Sequence, residues 1–508
     1  MAESSGSRIG KVYLVGAGPG DPGLLTLRGA ECLARGEVVF YDYLVNPALL
    51  DHAAAGARLV RLGHHSQGRT LEQEEINHLV IAAAREGRTV VRLKGGDPDV
   101  FARTAEEVGA LAAAGIPYET VPGVTAGLAA GGYAEIPLTH ADHSSCVALV
   151  TGQERRDKDG PALDYSALAQ FPGTLVFYMG IRSAKQWSQA LIDAGRSPET
   201  PVAIVQRATC PNQDVDRCTL GTVTDTIRSR HIRPPAITVV GHVAHLGPAV
   251  SWFAARPLFG QTVLVTRPRH QAAALCNRLT ELGAHVLVQP MIEIAPPDDW
   301  RSVDEALARL NTYDWLVFSS ANGVRYLLDR LMAGGGDMRR LAGVRLAAIG
   351  PGTAESLAEW KLHADLVPTE YRAEALAEAL ATEAPGKRIL LARASRGREV
   401  LAERLMAAGA TVDQVVVYAS RDVEQLEENV QAAVDEGTID WISVTSSAIG
   451  RSAVRLLGPA LGEAKAASIS PITSQVLRGL GCEPVAEAAQ YTIEGLVEAL
   501  LNAENREK

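Results

Sequence analysis

The chain has 508 residues, 47% of them hydrophobic and 21% charged, values that fit a globular protein of two to four domains with large cores. A formal net charge of -10 excludes a general nucleic-acid surface, and it means that a polyanionic substrate must meet a local cluster of Arg and Lys. The cysteines at 32, 146, 210, 218, 276 and 482 form no C-x-x-C pair, residues 1–8 are too short and polar for a signal peptide, and no apolar run could span a bilayer; a cytoplasmic, reducing location is expected.

Residues 1–8 read as a disordered N-terminus and 9–255 as the first unit. A β-type run at 11–15 feeds the loop Val15-Gly16-Ala17-Gly18-Pro19-Gly20-Asp21-Pro22. A strand is expected at 38–41 and a helix at 73–85, with Ile76, Leu79, Val80 and Ala83 on its buried face and Arg85-Glu86-Gly87 as its stop. A second β-type run, 89–93, feeds Lys94-Gly95-Gly96-Asp97-Pro98. Further strands are expected at 147–151, 174–178, 202–205 and 236–240, an α/β alternation throughout. Trp252-Phe253 close this unit, 256–261 read as a linker, and a fresh strand at 262–266 opens a second unit, 262–500, before a tail at 501–508.

The second unit carries a weak internal repeat. Val317-Phe318-Ser319-Ser320-Ala321-Asn322-Gly323 is echoed by Ser443-Val444-Thr445-Ser446-Ser447-Ala448-Ile449-Gly450, and Ile349-Gly350-Pro351-Gly352-Thr353 by Ile469-Ser470-Pro471-Ile472-Thr473. Strands 263–268 and 389–394 each end near an arginine, Arg267 and Arg393. Two similar lobes are implied, about 262–293 with 420–500 and about 294–419, with ligand loops beyond the strand ends.

Glycine at a strand end lets main chain approach a ligand closely. The first loop is not a dinucleotide fingerprint: Asp21 stands where the third glycine of G-x-G-x-x-G belongs, and Pro19 removes a donor. Asp42, about twenty residues on, keeps an NAD-dependent enzyme fused to a two-lobed ligand-binding domain as the alternative. A non-enzymatic regulator would have lost the glycine loops. The histidine pairs His64-His65, His140/His143 and His242/His245 lack third and fourth ligands at suitable spacing, so no metal is expected.

Val15 to Pro22, Tyr41-Asp42, Gln73-Glu74-Glu75-Ile76-Asn77, Arg92 to Pro98, Val121-Pro122-Gly123-Val124-Thr125-Ala126, Pro137-Leu138-Thr139-His140 and Phe177-Tyr178-Met179-Gly180 come in the order seen in uroporphyrinogen-III C-methyltransferases, which the chain resembles over about 9–255. The resemblance implies a two-lobed tetrapyrrole-methylase fold, S-adenosylmethionine (SAM) as methyl donor, a tetrapyrrole acceptor and a homodimer built through this half. It places Pro19, Gly95, Gly96, Asp97, Val100, Thr125, Ala126, Met179 and Ala208 around SAM, with Ala208 where glycine is frequent. Asp42 matches the general base, and His64 stands where lysine is usual. Arg61, Arg69, Lys94 and Arg103 are candidates for substrate carboxylates, and Thr139 and His140 for substrate contact.

The repeated loops, with Tyr371-Arg372-Ala373-Glu374, Val417-Tyr418 and Tyr491-Thr492-Ile493-Glu494-Gly495, resemble uroporphyrinogen-III synthase over about 260–500. That family has a two-lobed, flavodoxin-like α/β fold and closes hydroxymethylbilane without a cofactor. The resemblance implies that Tyr418 helps the hydroxyl leave. Ser319, Ser320, Asn322, Thr353, Thr445, Ser446 and Ser447, with backbone N–H groups at helix starts, would bind carboxylates. The same Ser and Thr can equally serve as helix caps, and Arg372, Arg393, Arg396 and Arg398 would add charge. The synthase product would be the methyltransferase substrate. Small tetrapyrroles are the expected partners, with no nucleic acid or membrane.

Overall fold

The protein is described by a computed structural model over residues 9–63, 71–154, 162–248, 251–397 and 399–507. Its contacts divide it into two units, Met1–Gln261 with Leu279–His285, and Thr262–Arg278 with Val286–Lys508.

The first unit holds two sheets. One is wholly parallel, with strands β1 (Val12–Gly16), β2 (Val38–Asp42), β3 (Arg58–Leu62), β4 (Val90–Lys94) and β5 (Tyr118–Val121) in the order β3-β2-β4-β1-β5. Successive residues of its central strands feed different cores: Val12, Leu14, Phe40 and Val90 pack on one face, Tyr13, Val15, Val39, Val91 and Leu93 on the other. Burial on both faces is why these strands read as unbroken apolar runs. The second sheet is mixed: β6 (Val147–Thr151), β7 (Thr174–Tyr178), β8 (Pro201–Gln206), β9 (Asp214–Thr219) and β10 (Ala236–Val240), in the order β6-β7-β10-β8-β9.

The second unit repeats one plan. Strands β11 (Thr262–Val265) and β12 (His285–Val288) are followed by β13 (Ile292–Ala295), β14 (Trp315–Phe318), β15 (Arg345–Ala348), β16 (Arg388–Ala394) and β17 (Thr411–Asp422). Then come β18 (Trp441–Val444), β19 (Lys465–Ser468) and β20 (Ala486–Glu487). One sheet runs β12-β11-β18-β19-β20, the 2-1-3-4-5 order of flavodoxin-like sheets. The other runs β13-β17-β16-β14-β15. Its four parallel strands keep the same relative order, and the fifth place is taken by β13, antiparallel to β17.

Three expectations need correction. In the helix Gln73–Arg85, Val80 is buried and Ile76 and Ala83 pack against the same core as expected, but Leu79 is exposed and Ile81 and Ala84 are buried instead. Strands β3, β5 and β9 were not foreseen; β3 and β9 are edge strands whose charged residues (Arg58, Arg61; Asp214, Asp216, Arg217) hide the alternation while guarding the open edge. Residues 501–507 are not a tail: the last helix runs Ile493–Glu507, and Glu504, buried, accepts a 2.7 Å hydrogen bond from Trp441 Nε1 and one of 3.0 Å from Lys465 Nζ. Residues 1–8 lie outside the described part.

Candidate functional site

The glycine loops after β1, β4 and β5 meet at the carboxyl ends of neighbouring strands. Gly18 and Gly96 exchange two backbone hydrogen bonds, 3.1 and 2.8 Å, and Ala17 N donates to Lys94 O at 2.7 Å. A Cβ on Gly123 would lie 2.4 Å from Gly96 O, and one on Gly16 would lie 2.6 Å from Gly123 Cα, so only hydrogen fits at either place. Asp97 closes the junction: its carboxylate accepts from Gly123 N at 3.0 Å and from Asp99 N at 2.8 Å. Gly95 and Gly96 differ from these packed glycines. A Cβ on Gly96 would have Ala126 N at 3.9 Å as its nearest neighbour, and one on Gly95 would meet only Leu44 Cβ, at 3.5 Å.

The second sheet supplies the opposite wall. Tyr178, at the end of β7, has a buried hydroxyl that accepts from Gly127 N and shares a bond with Thr125 Oγ1, both 2.8 Å. Burial pushes its pKa upward. Phe101 packs 5.0 Å from its ring, and Val100, Ala126 and Ala208 join Tyr178 in one apolar cluster. Asp21 N donates to Thr209 Oγ1 at 3.0 Å, and Asp21 Oδ2 accepts from Tyr133 OH at 2.7 Å, tying the first loop to the segment after β8. Phe101, Arg103, Met179, Arg207 and Thr209, non-glycine residues in the loops after β4, β7 and β8, all have positive φ, from 48° to 68°. Such strain persists where surrounding contacts over-determine the backbone, and it concentrates at binding sites.

The structure therefore brings together Pro19, Gly95, Gly96, Asp97, Val100, Thr125, Ala126, Met179 and Ala208 around these loops. Gly16, Asp21, Gly123 and Tyr178, which stand in the motifs but were given no role at the donor, join the same loops, as does Thr209. The signal was present for Gly16, at the end of a β-type run, and for Gly123 within the motif at 121–126; the role of Tyr178 depends on a lobe distant in sequence.

Asp42, at the end of β2, is ion-paired with the buried guanidinium of Arg92 at 2.6 Å. Arg92 also contacts Glu107 at 3.2 Å, and Glu107 accepts from Lys94 and from Gln73 (3.0 Å). Lys94 is thus not a substrate cation: it is 2% exposed, committed to Glu107, and its pKa is lowered by burial. Arg61 lies opposite Tyr41 in register, near the end of edge strand β3, while Asp42 lies opposite Leu62; Arg103 is exposed and paired with Glu106. His64 and Arg69 lie outside the described residues. His140 sits in a group with His143, His242 and His245, the first ring 4.7 Å and the others 6.4 and 6.2 Å from His143. Thr139 precedes it. Among the described residues no three His, Cys, Asp or Glu side chains are arranged to hold a metal ion, and no helix is long and apolar enough to cross a membrane.

In the second unit the ring of Tyr418 is packed in the core beside Tyr326, while its hydroxyl meets Ser320 Oγ at 3.0 Å. Burial raises its pKa. Ser320 and Ser446 are N-caps, accepting from Gly323 N at 3.0 Å and Ile449 N at 3.2 Å, so the capping role allowed for these serines is real. Ser319 Oγ donates to Ala392 O at 3.3 Å, Asn322 Oδ1 accepts from Gln271 at 3.0 Å, and Thr353 is buried at the start of the helix Pro351–Glu359. Thr445, Ser446 and Ser447 form the equivalent turn after β18. Arg372 and Arg393 are paired with Glu370 and Glu399, and Arg398 lies outside the described residues.

A two-lobed α/β unit with a three-loop glycine junction, followed by a two-lobed flavodoxin-like unit, defines a tetrapyrrole methylase joined to a uroporphyrinogen-III-synthase fold. Family models agree: Tetrapyrrole (Corrin/Porphyrin) Methylases over residues 11–224 and Uroporphyrinogen-III synthase HemD over 273–498. The chain is 35% identical to the porphyrin biosynthesis protein HemD of Ruminiclostridium josui over 439 residues, 86% of this chain and 87% of that one. It is 44% identical to the S-adenosyl-L-methionine-dependent uroporphyrinogen III methyltransferase of Methanosarcina barkeri, covering 47% of this chain and 93% of that one. A solved uroporphyrin-III C-methyltransferase of Thermus thermophilus with S-adenosylhomocysteine is 38% identical, with a TM-score of 0.40 over 46% of this chain and 94% of that one. The chain belongs to the tetrapyrrole-biosynthesis family that joins a SAM-dependent uroporphyrinogen-III C-methyltransferase to a uroporphyrinogen-III synthase.

Proposed function

We propose that the second unit closes hydroxymethylbilane to uroporphyrinogen III with inversion of ring D. The first unit then methylates that product twice, giving precorrin-2 and S-adenosylhomocysteine. The observation that carries the methyltransferase reading is the contrast between packed and open glycines in one junction: Gly16 and Gly123 are needed to bring the loops together, whereas a Cβ on Gly95 or Gly96 would meet no close protein atom, leaving main chain open to a ligand. This is a fit to a donor bound through main chain.

SAM supplies an electrophilic methyl carbon for an in-line displacement. Pro19, Gly95, Gly96, Asp97, Val100, Thr125, Ala126, Met179 and Ala208 would hold it, with Asp97 fixing the β4 and β5 loops and Met179 giving a soft apolar contact. The electron-rich pyrrole needs no strong base for attack. Asp42, held by Arg92, would take the proton released from the methylated ring. His64 would assist proton transfer, and Arg61, Arg103, Thr139 and His140 would contact substrate. In the synthase half, the Tyr418 hydroxyl would protonate the departing hydroxyl, drawing on its bond to Ser320. Ser319, Asn322, Thr353, Thr445, Ser446 and Ser447 would bind substrate carboxylates at helix N-termini. Action in the cytoplasm as a homodimer belongs to the same proposal.

The two halves are tested separately. Hydroxymethylbilane alone, followed by oxidation and chromatography, should give the type III isomer; the type I isomer alone would remove the synthase reading. Uroporphyrinogen III with SAM should give a dimethylated chromophore; turnover supported by NAD instead would remove the methyltransferase reading.

A further inference from the structure

The lobes of the second unit are joined by two crossings, β12 to β13 and the exit from β17. The crossings are stitched at one atom: Met291 O accepts from Val423 N at 3.1 Å and from the buried Ser452 Oγ at 2.6 Å. Ser452 lies on the helix Ser447–Leu457, so that helix is anchored where the lobes meet. Above this point lies a cavity of about 290 Å³ lined by Arg396 and Asp422 from one lobe and Arg451, Ser452 and Arg455 from the other. Three guanidiniums and one carboxylate line it. Asp422 is shared by Arg396 at 2.7 Å and Arg455 at 3.7 Å, and Arg455 also donates to Val423 O at 3.0 Å. Arg451 is exposed and has no acidic partner among the described residues.

Chain geometry connects this cavity to Tyr418. Tyr418, Ser420 and Asp422 alternate on β17 and share one face, so Asp422 lies about 13 Å beyond Tyr418 at ~3.3 Å per residue. Ser395 N donates to Tyr418 O at 2.9 Å, and its Oγ accepts from Ser420 N at 3.1 Å, which places Arg396 next to the same strand. Arg451 is one helical turn after Ser447, and Arg455 one turn further. β17 thus carries both Tyr418 and Asp422, and the helix Ser447–Leu457 runs from the Thr445-Ser446 turn to Arg451 and Arg455. A chain of net charge -10 repels a polycarboxylate unless such a local cluster exists.

We propose that Arg451, supported by Arg396 and Arg455, binds carboxylates of the linear tetrapyrrole in the synthase cleft, the charged counterpart to the neutral loops around Tyr418; this rests on the synthase reading above. Arg451 takes the carboxylate directly, because it is uncommitted. Asp422 keeps Arg396 and Arg455 in place and limits the local charge, so that product can leave.

The test is steady-state synthase kinetics on the full chain. Arg451→Ala should raise KM for hydroxymethylbilane about ten- to hundred-fold, the usual worth of a hydrogen bond between charged groups, with kcat within two-fold of wild type. Arg451→Lys should recover part of that loss. Added salt should raise the wild-type KM more than that of Arg451→Ala. Arg478→Ala, which removes an exposed arginine paired with Glu483, should leave KM unchanged. An unchanged KM in folded Arg451→Ala overturns the assignment while leaving the synthase reading standing. Fluorescence titration with uroporphyrin III separates the remaining case: a wild type without turnover, whose binding of this octacarboxylate still depends on Arg451, refutes the synthase reading and keeps the site.

Discussion

Replacing Gly96 with alanine adds one methyl group to a place where the protein has nothing to strike. The nearest atom to the new Cβ is Ala126 N at 3.9 Å, so no packing must yield. The backbone cost comes from φ, +72° at Gly96, a left-handed conformation that costs an L-residue about 1–2 kcal/mol. For a unit of about 250 residues that corresponds to a fall in Tm of roughly 2–8 °C. The effect on ligand should be larger in kind. If Gly95 and Gly96 face bound SAM, the methyl group occupies its space, and relieving overpacking of about 1–3 kcal/mol weakens binding roughly five- to hundred-fold. Isothermal titration with S-adenosylhomocysteine reads this directly, and thermal denaturation reports the fold. Gly132→Ala is the control: it adds a Cβ with nothing within 4 Å, in the helix Ala126–Tyr133, and should not weaken binding. A folded Gly96→Ala chain that binds S-adenosylhomocysteine as tightly as wild type would refute the assignment of the open glycines to the donor.

Three further outcomes are expected. Tyr418→Phe should slow hydroxymethylbilane turnover by about ten-fold or more without lowering Tm substantially, since the ring stays packed and only hydroxyl contacts, among them the bond to Ser320, are lost; full activity would leave Tyr418 as core alone. Lys94→Met should destabilise the first unit by about 3 kcal/mol or more in denaturant titration, because it strips a buried carboxylate of one of its two cations; a neutral result would contradict the pairing with Glu107. Cys210, whose thiol is pushed up to about 11 by burial, holds its proton at pH 8, and the thiolate fraction rises only as pH approaches that value. Its alkylation by iodoacetamide in the native chain, followed by mass spectrometry, should be about a hundred-fold slower at pH 8 than that of an ordinary thiol and should accelerate toward pH 11; rapid labelling at pH 8 would contradict the packing of Cys210 beneath Gly20.

The parts legible in the sequence were those set by local periodicity. The helix Gln73–Arg85 and the central strands announce themselves because burial on both faces requires continuous apolar runs. Edge strands β3 and β9 did not, because one side of each has no partner and carries charge. The glycine loops were legible as loops that approach something closely. Which glycines contact protein and which contact open space depends on how β1, β4 and β5 are ordered, and sequence does not carry that order. Lys94 looked like a substrate cation beside a glycine loop. Its partner Glu107 sits on the following helix and buries it. Ser320 and Ser446 show the reverse case: the N-cap role is local and was foreseeable, while the approach of Tyr418 to Ser320 joins residues 98 apart. Arg451 and Arg455 were overlooked because a helix with arginines four residues apart resembles any solvated face until the other lobe is set against it.

A single-pot reaction of the intact chain with hydroxymethylbilane and trideuteromethyl-labelled SAM, followed by mass analysis of the tetrapyrrole, tests both halves at once. The tetrapyrrole recovered should be a macrocycle of the type III series bearing two labelled methyl groups on carbon. Recovery of an unlabelled macrocycle, or of unchanged hydroxymethylbilane, would contradict the proposed reaction sequence.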